Sequence, residues 1–133
     1  MWLLKTEPST YGYDDLEREG ETVWDGITNP VALRNLAAMK AGDRAFVYHT
    51  GGVRAAVGVA RVTRAAYPDP KQRNPKRLVV GIAAEGRLDR PVGLDEIRKM
   101  PAFDGSPLVR QGRLSVVPLT EPQWKAVEAA SRT

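Results

Sequence analysis

The chain of 133 residues has no cysteine and a single histidine. It therefore forms no disulfide, offers no thiolate nucleophile, and builds neither a Cys-based zinc or iron–sulfur site nor a His-cluster metal centre. No apolar run approaches the roughly 18 residues that a membrane span needs. The first residues lack the basic-then-apolar pattern of a secretory leader. The expectation is a cytoplasmic protein without cofactor, metal or membrane contact. There is no Walker A loop, G-x-G-x-x-G fingerprint, H-E-x-x-H pair or G-x-S-x-G elbow. What is present is ordinary globular composition, 42% hydrophobic and 27% charged. A chain this long buries about two-thirds of its unfolded surface, enough for one domain over 1–133.

Charge is unevenly placed. The net value is +4. Residues 1–43 carry 4 basic and 8 acidic groups, residues 44–91 carry 10 and 3, and residues 92–133 carry 6 and 5. The positive charge is concentrated in the middle third, where a polyanion would be attracted. Charge alone leaves a solvated basic face as an equal reading.

The local signals alternate between strand and helix. Residues 1–7, MWLLKTE, read as a strand broken by Pro8. Residues 9–19 are acidic, with Tyr13 and Leu16 three apart, and read as a short helix ended by Gly20. Residues 23–27 read as an extended piece or a turn. Asn29-Pro30 pairs a capping side chain with Pro at the first helical position, so a helix is expected to Lys40, with Gly42 as its stop. Residues 43–50 and 54–66 read as an antiparallel hairpin around Gly51-Gly52, with Gly58 marking a bulge or a close approach. A Pro-rich basic loop, 67–77, precedes a strand at 78–85 with a central Gly81. Residues 94–100 and 106–112 suggest short helices, and 114–117 a last strand. Thr120 and Gln123 have capping-box spacing before a terminal helix that buries Trp124 and Val127. This order is not βαβ alternation. It fits an α+β fold: a small, mostly antiparallel barrel or curled sheet with helices outside, bent at Gly58 and Gly81.

Four polar groups are candidates for chemistry. Lys5-Thr6-Glu7 ends the first strand, where an exposed strand end is the plain alternative. Trp24-Asp25-Gly26 with Asn29 offers a flat wall beside a hydrogen-bonding edge; a core Trp and a simple helix cap account for the same residues. Tyr48-His49-Thr50 holds the lone histidine, with no Ser or Cys nucleophile motif beside it. Arg113, within 110–115, could meet a phosphate or pair with an early acid. Asp14-Asp15 and Asp95-Glu96 are expected helix-start acids.

Taken together, these stretches resemble the EVE domain family. The matching blocks are Trp2 to Pro8, Tyr13 with Asp15-Leu16, Trp24-Asp25-Gly26-Ile27 with Asn29, and Arg34-Asn35-Leu36 through Asp43. They continue with Tyr48-His49-Thr50, Val57 to Ala60, Ala66 to Asp69, and Arg113 to Thr120 with Trp124. The resemblance implies a PUA-like curved mixed sheet or barrel flanked by short helices. It is also similar to YTH domains, which hold a methylated base in an aromatic pocket. By that likeness Trp24 is a pocket wall, and Asn29 and the backbone around Asp25 read a base edge. Lys5, Thr6 and Glu7 line rim or floor, and Gly26, Tyr48 and His49 complete the pocket. The chain departs from the family at Thr28, where many members have Arg, and at Pro30, Val31 and Ala32.

The expected function is a non-catalytic nucleic-acid-binding module, for DNA or RNA, that recognises a modified base such as methylated cytosine. Arg54, Arg61, Arg64, Lys71, Arg73, Lys76, Arg77 and Arg113 are the candidate phosphate contacts. Two alternatives stand beside it. One is a small amidohydrolase like some ASCH domains, acting on modified nucleosides through Lys5, Thr6 and Glu7. The other is a PUA-like module that reads RNA shape with its basic surface.

Overall fold

A computed structural model describes residues 1–133. Six strands form one mixed sheet in the order β2-β5-β4-β3-β1-β6. The strands are β1 (Trp2–Thr6), β2 (Glu21–Trp24), β3 (Arg44–His49), β4 (Ala55–Pro68), β5 (Leu78–Gly93) and β6 (Val116–Pro118). The helices are α1 (Tyr13–Glu19), α2 (Pro30–Ala37), α3 (Leu94–Arg98), α4 (Pro107–Arg110) and α5 (Glu121–Ser131), with a 3-10 turn at Pro101–Phe103. No helix is long and apolar enough to cross a membrane.

The apolar start of the chain is a central strand. β1 lies between β3, which it pairs in parallel, and β6, which it pairs antiparallel. Leu3 and Leu4 are fully buried, so the strand reads as an apolar run rather than an alternation. Lys5 and Thr6 mark where it leaves the core. The expected β3–β4 hairpin forms, with a register shift after Val47. Phe46 stacks on Trp124 with ring centroids 3.8 Å apart, which docks α5 on the sheet. The predicted capping box is present: Thr120 Oγ1 accepts from the Gln123 amide, and Gln123 Oε1 accepts from the Thr120 amide.

The two predicted glycines lie at register shifts of the sheet. β4 and β5 shift register between Ala56 and Gly58, and again between Val59 and Ala60. The Tyr13 ring occupies the space over Gly58. Its hydroxyl donates to the Val59 carbonyl at 2.7 Å and accepts from the Gly86 amide at 2.9 Å. Tyr13 therefore fastens α1 into the bulge. At Gly81, a side chain would meet Thr63 Oγ1 at 2.8 Å, beside another register shift.

The boundaries of α1, α2 and β5 differ from expectation for identifiable reasons. α1 begins at Tyr13 rather than Ser9, because the Thr10 and Tyr11 amides both turn back to the Glu7 carbonyl. α2 ends at Ala37 rather than Lys40; the Lys40 amide instead donates to Asp43 Oδ2. β5 runs well past Glu85, to Gly93. Gly86 continues it at φ +140°, and Pro91 is tolerated because β2 pairs β5 only over residues 80–83, leaving that edge free.

Candidate functional site

The sheet curls so that its two ends approach without pairing, and a cavity of about 650 Å³ occupies the seam. β1 supplies Lys5 and Thr6, followed by Glu7; β2 supplies Thr22, Val23 and Trp24, followed by Asp25 and Gly26. Ser115, just before β6, closes the β1 side, and Tyr11 and Glu19 enter from either end of the α1 region. This volume is in the range of small-ligand pockets. The seam follows from topology: β2 and β1 are far apart in strand order, so only curvature brings them together.

Each polar group at the seam has a defined state. Lys5 Nζ donates to the Gly112 carbonyl at 2.9 Å, and partial burial pulls its pKa below the ordinary lysine value. Thr6 Oγ1 donates to the Tyr11 carbonyl at 2.6 Å. Glu7 Oε1 accepts from the Ser9 amide and hydroxyl, which hold its carboxyl below the usual range. The Lys, Thr and Glu side chains each make a hydrogen bond within the fold. Trp24 is only 6% exposed and belongs to the main core cluster as well as to the cavity wall. Tyr11 meets it edge-on, with centroids 6.0 Å apart and planes at 84°. The Tyr11 hydroxyl donates to Glu19 Oε1 at 2.9 Å; its pKa is raised, first by burial. Three carboxylates, Glu7, Glu19 and Asp25, face the cavity against one lysine.

Of the nine residues expected in a pocket, Lys5, Thr6, Glu7, Trp24, Asp25 and Gly26 line this cavity and Asn29, Tyr48 and His49 do not. Asn29 Oδ1 caps α2, accepting from the Val31 and Ala32 amides at 2.9 and 3.0 Å. Its residue lines a neighbouring cleft of about 330 Å³ with Arg110, Gly112 and Arg113. Tyr48 is buried, with Lys5 Nζ 5.6 Å from its ring centroid. His49 Nε2 accepts from the Tyr13 amide at 3.0 Å. Burial lowers the pKa of His49, against an opposing pull from Glu7. Tyr11, Glu19, Thr22 and Ser115 were absent from the expected set. Tyr11 carried a signal: with only four Tyr and three Trp in the chain, an aromatic outside the apolar pattern of the neighbouring helix needed a separate use.

The basic residues differ in their partners. Arg54 occupies the β3–β4 turn at φ +49°. Arg64 lies ten residues further on, within β4. Its guanidinium stacks on Tyr67, 3.6 Å from the ring centroid. Arg61 and Arg44 share Glu85, at 3.9 and 3.3 Å. Lys71, Arg73 and Lys76 stand exposed in the 69–77 loop without an ion pair. Arg77 Nη1 donates to the Thr28 carbonyl at 3.3 Å, tying that loop to the segment that edges the cavity.

Comparison with known proteins places this geometry. The EVE domain model matches residues 1–130. Thymocyte nuclear protein 1 of Rattus norvegicus is 31% identical, over 92% of this chain and 70% of that protein. The structure of Rpa0253 from Rhodopseudomonas palustris is 37% identical with a TM-score of 0.92, covering 98% of this chain and 92% of the other. Human THYN1, crystallised in complex with 5-methylcytosine-containing DNA, is 28% identical with a TM-score of 0.87, covering 99% of this chain and 97% of the other. The expected α+β fold, a curved mixed sheet flanked by short helices, is the one these relatives share.

Proposed function

From the premise that this chain belongs to the EVE domain family, we propose that it is a nucleic-acid-binding reader of a modified base, 5-methylcytosine in DNA, held in the seam cavity. One observation carries the reading: a polar cavity walled by Trp24 and Tyr11, in a chain similar along nearly its whole length to a protein crystallised with 5-methylcytosine DNA.

The cavity's charge supports a base rather than a backbone as the occupant. Three carboxylates repel phosphates, so the backbone stays outside, where Lys71, Arg73, Lys76, Arg77 and Arg113 are available to it. Extruding a base costs a few kcal/mol. Stacking on an aromatic face returns about 1–3 kcal/mol. Burying one methyl adds about 0.8 kcal/mol, which is only about fourfold in affinity. A larger preference for the methylated base therefore needs a shape that excludes water from the unmethylated one, or polar contacts that form only when the base is fully seated.

The test is a fluorescence-polarisation titration of duplexes that differ only in cytosine or 5-methylcytosine. The expected result is tighter binding of the methylated duplex by about fourfold or more, lost in Trp24→Ala and Tyr11→Leu. Trp24 is also a core residue, so thermal melts accompany both variants, and Tyr11→Leu, at a residue that is not itself among the buried core side chains, is decisive. Equal binding of the two duplexes by the unaltered protein overturns the reading.

A further inference from the structure

Building on that reading, we infer that Glu19, held by the Tyr11 hydroxyl, is the specificity residue that accepts a hydrogen bond from the exocyclic amino group of the captured base. It thereby separates 5-methylcytosine from thymine. The two bases carry the same 5-methyl group, so the methyl cannot tell them apart. They differ at the adjacent ring carbon, an amino donor in one and a carbonyl acceptor in the other, and a carboxylate is the natural acceptor for the cytosine amino group. Opposite the carbonyl of thymine it would set two acceptors against each other.

Three features single out Glu19 among the cavity's carboxylates. Glu7 already accepts twice from Ser9, and its other oxygen is packed toward Gly51. Asp25 has no partner to hold it in one place. Glu19 is held through one oxygen by Tyr11, leaving the other free. Its position also runs against helix preference. Asp14 and Asp15 occupy the first turn of α1, where the helix dipole favours acids, but Glu19 is the last residue, where the dipole disfavours one. A local cost of this kind is expected at a functional position. Finally, Tyr11 joins Glu19 to Trp24: its hydroxyl reaches the carboxylate and its ring meets the indole. An apolar wall and an acceptor side by side match a methyl and an amino group on neighbouring ring carbons.

The test uses the full chain and duplexes in which 5-methylcytosine, cytosine or thymine faces an abasic site, so that extrusion costs are alike. The unaltered protein is expected to prefer 5-methylcytosine over thymine roughly tenfold or more. Glu19→Gln, whose amide presents a donor or an acceptor, should bring that ratio close to one while the preference for 5-methylcytosine over cytosine persists. Asp104→Asn, exposed and outside the cavity, is the control and should leave the ratio unchanged. Tyr11→Phe, which frees the carboxylate, should lower it part of the way. If Glu19→Gln keeps the full ratio, or the unaltered protein binds thymine as tightly as 5-methylcytosine, Glu19 is not the discriminator and the reader assignment stands. If the unaltered protein does not distinguish 5-methylcytosine from cytosine, the reader assignment falls and this inference with it.

Discussion

Tyr13 and Gly58 are in contact so close that no side chain fits between them: a Cβ at Gly58 would lie 2.5 Å from Tyr13 Cζ. The ring cannot retreat, because its hydroxyl is held by the Val59 carbonyl and the Gly86 amide and its backbone amide by His49. Gly58→Ala should therefore destabilise the fold by about 1–3 kcal/mol or more, the range for forced overpacking. Gly112→Ala is the control, since nothing lies within 4 Å of its would-be Cβ. Urea denaturation of both variants checks the contrast; equal midpoints would show that the α1–sheet contact yields.

The Tyr13 amide also makes stability depend on pH through His49. Nε2 can accept that bond only when unprotonated, and burial holds the His49 pKa below its ordinary value of 6.5. A depressed pKa means that the unfolded chain takes up the proton first. The contribution is thus fully present above the unfolded pKa and is lost as pH falls through the lower folded one. Urea midpoints should decline as pH drops from 7.5 through 6.5 toward 5, above the range where the carboxylates titrate. His49→Gln, whose side-chain oxygen can accept the same bond, should flatten that decline. An unchanged slope in the variant would place the pH dependence elsewhere.

How much of this could be read beforehand depended on whether the signal was local. Gly58 and Gly81 stood out inside apolar strands, and each does mark a close approach. The Thr120–Gln123 spacing implied a capping box because both partners lie within one helical turn. Asn29-Pro30 implied a cap for the same reason, and Asn29 Oδ1 is committed to it. The far end of β5 was hidden because Gly86 and Pro91 look like breakers, yet pairing to β4 carries the strand through. The seam cavity itself was half legible. Lys5 to Glu7 and Trp24 to Gly26 were picked from their own composition, but their meeting depends on a sheet that bends until β2 faces β1. Tyr11 and Glu19 carry no such local motif, because residues 9–19 read as one short acidic helix and only the turn at Thr10 and Tyr11 brings Tyr11 to the cavity.

Residues 71–77 should supply a sequence-independent share of DNA affinity. Lys71, Arg73 and Lys76 are exposed and unpaired, and Arg77 anchors their loop beside the cavity. Each phosphate contact removed should reduce the slope of log affinity against log salt by about 0.9 on duplex DNA. Arg73→Ala with Lys76→Ala is expected to weaken methylated and unmethylated duplexes by the same factor. It should lower the slope by nearly 2 if both residues meet phosphates. Titrations at several salt concentrations measure this. A variant that loses affinity for one duplex only would assign the loop to base reading.

Asn29 allows its two roles to be separated, because only one end of its amide is used by the fold. Oδ1 accepts both α2 amides, whereas Nδ2 makes no hydrogen bond within the fold, and the residue lines the cleft shared with Arg110 and Arg113. Asn29→Ala removes the cap and should cost about 1 kcal/mol of stability. Asn29→Asp keeps an oxygen in the capping position, and its charge suits the start of α2, so stability should be preserved. If Nδ2 donates to nucleic acid, Asn29→Asp should nevertheless bind DNA more weakly, having lost a donor and gained a charge that repels phosphate. Asn29→Ser, which caps without charge or amide, distinguishes the two effects. Full affinity in the Ser variant would leave Asn29 with the capping role alone, and loss of affinity at unchanged melting temperature would give it a direct contact.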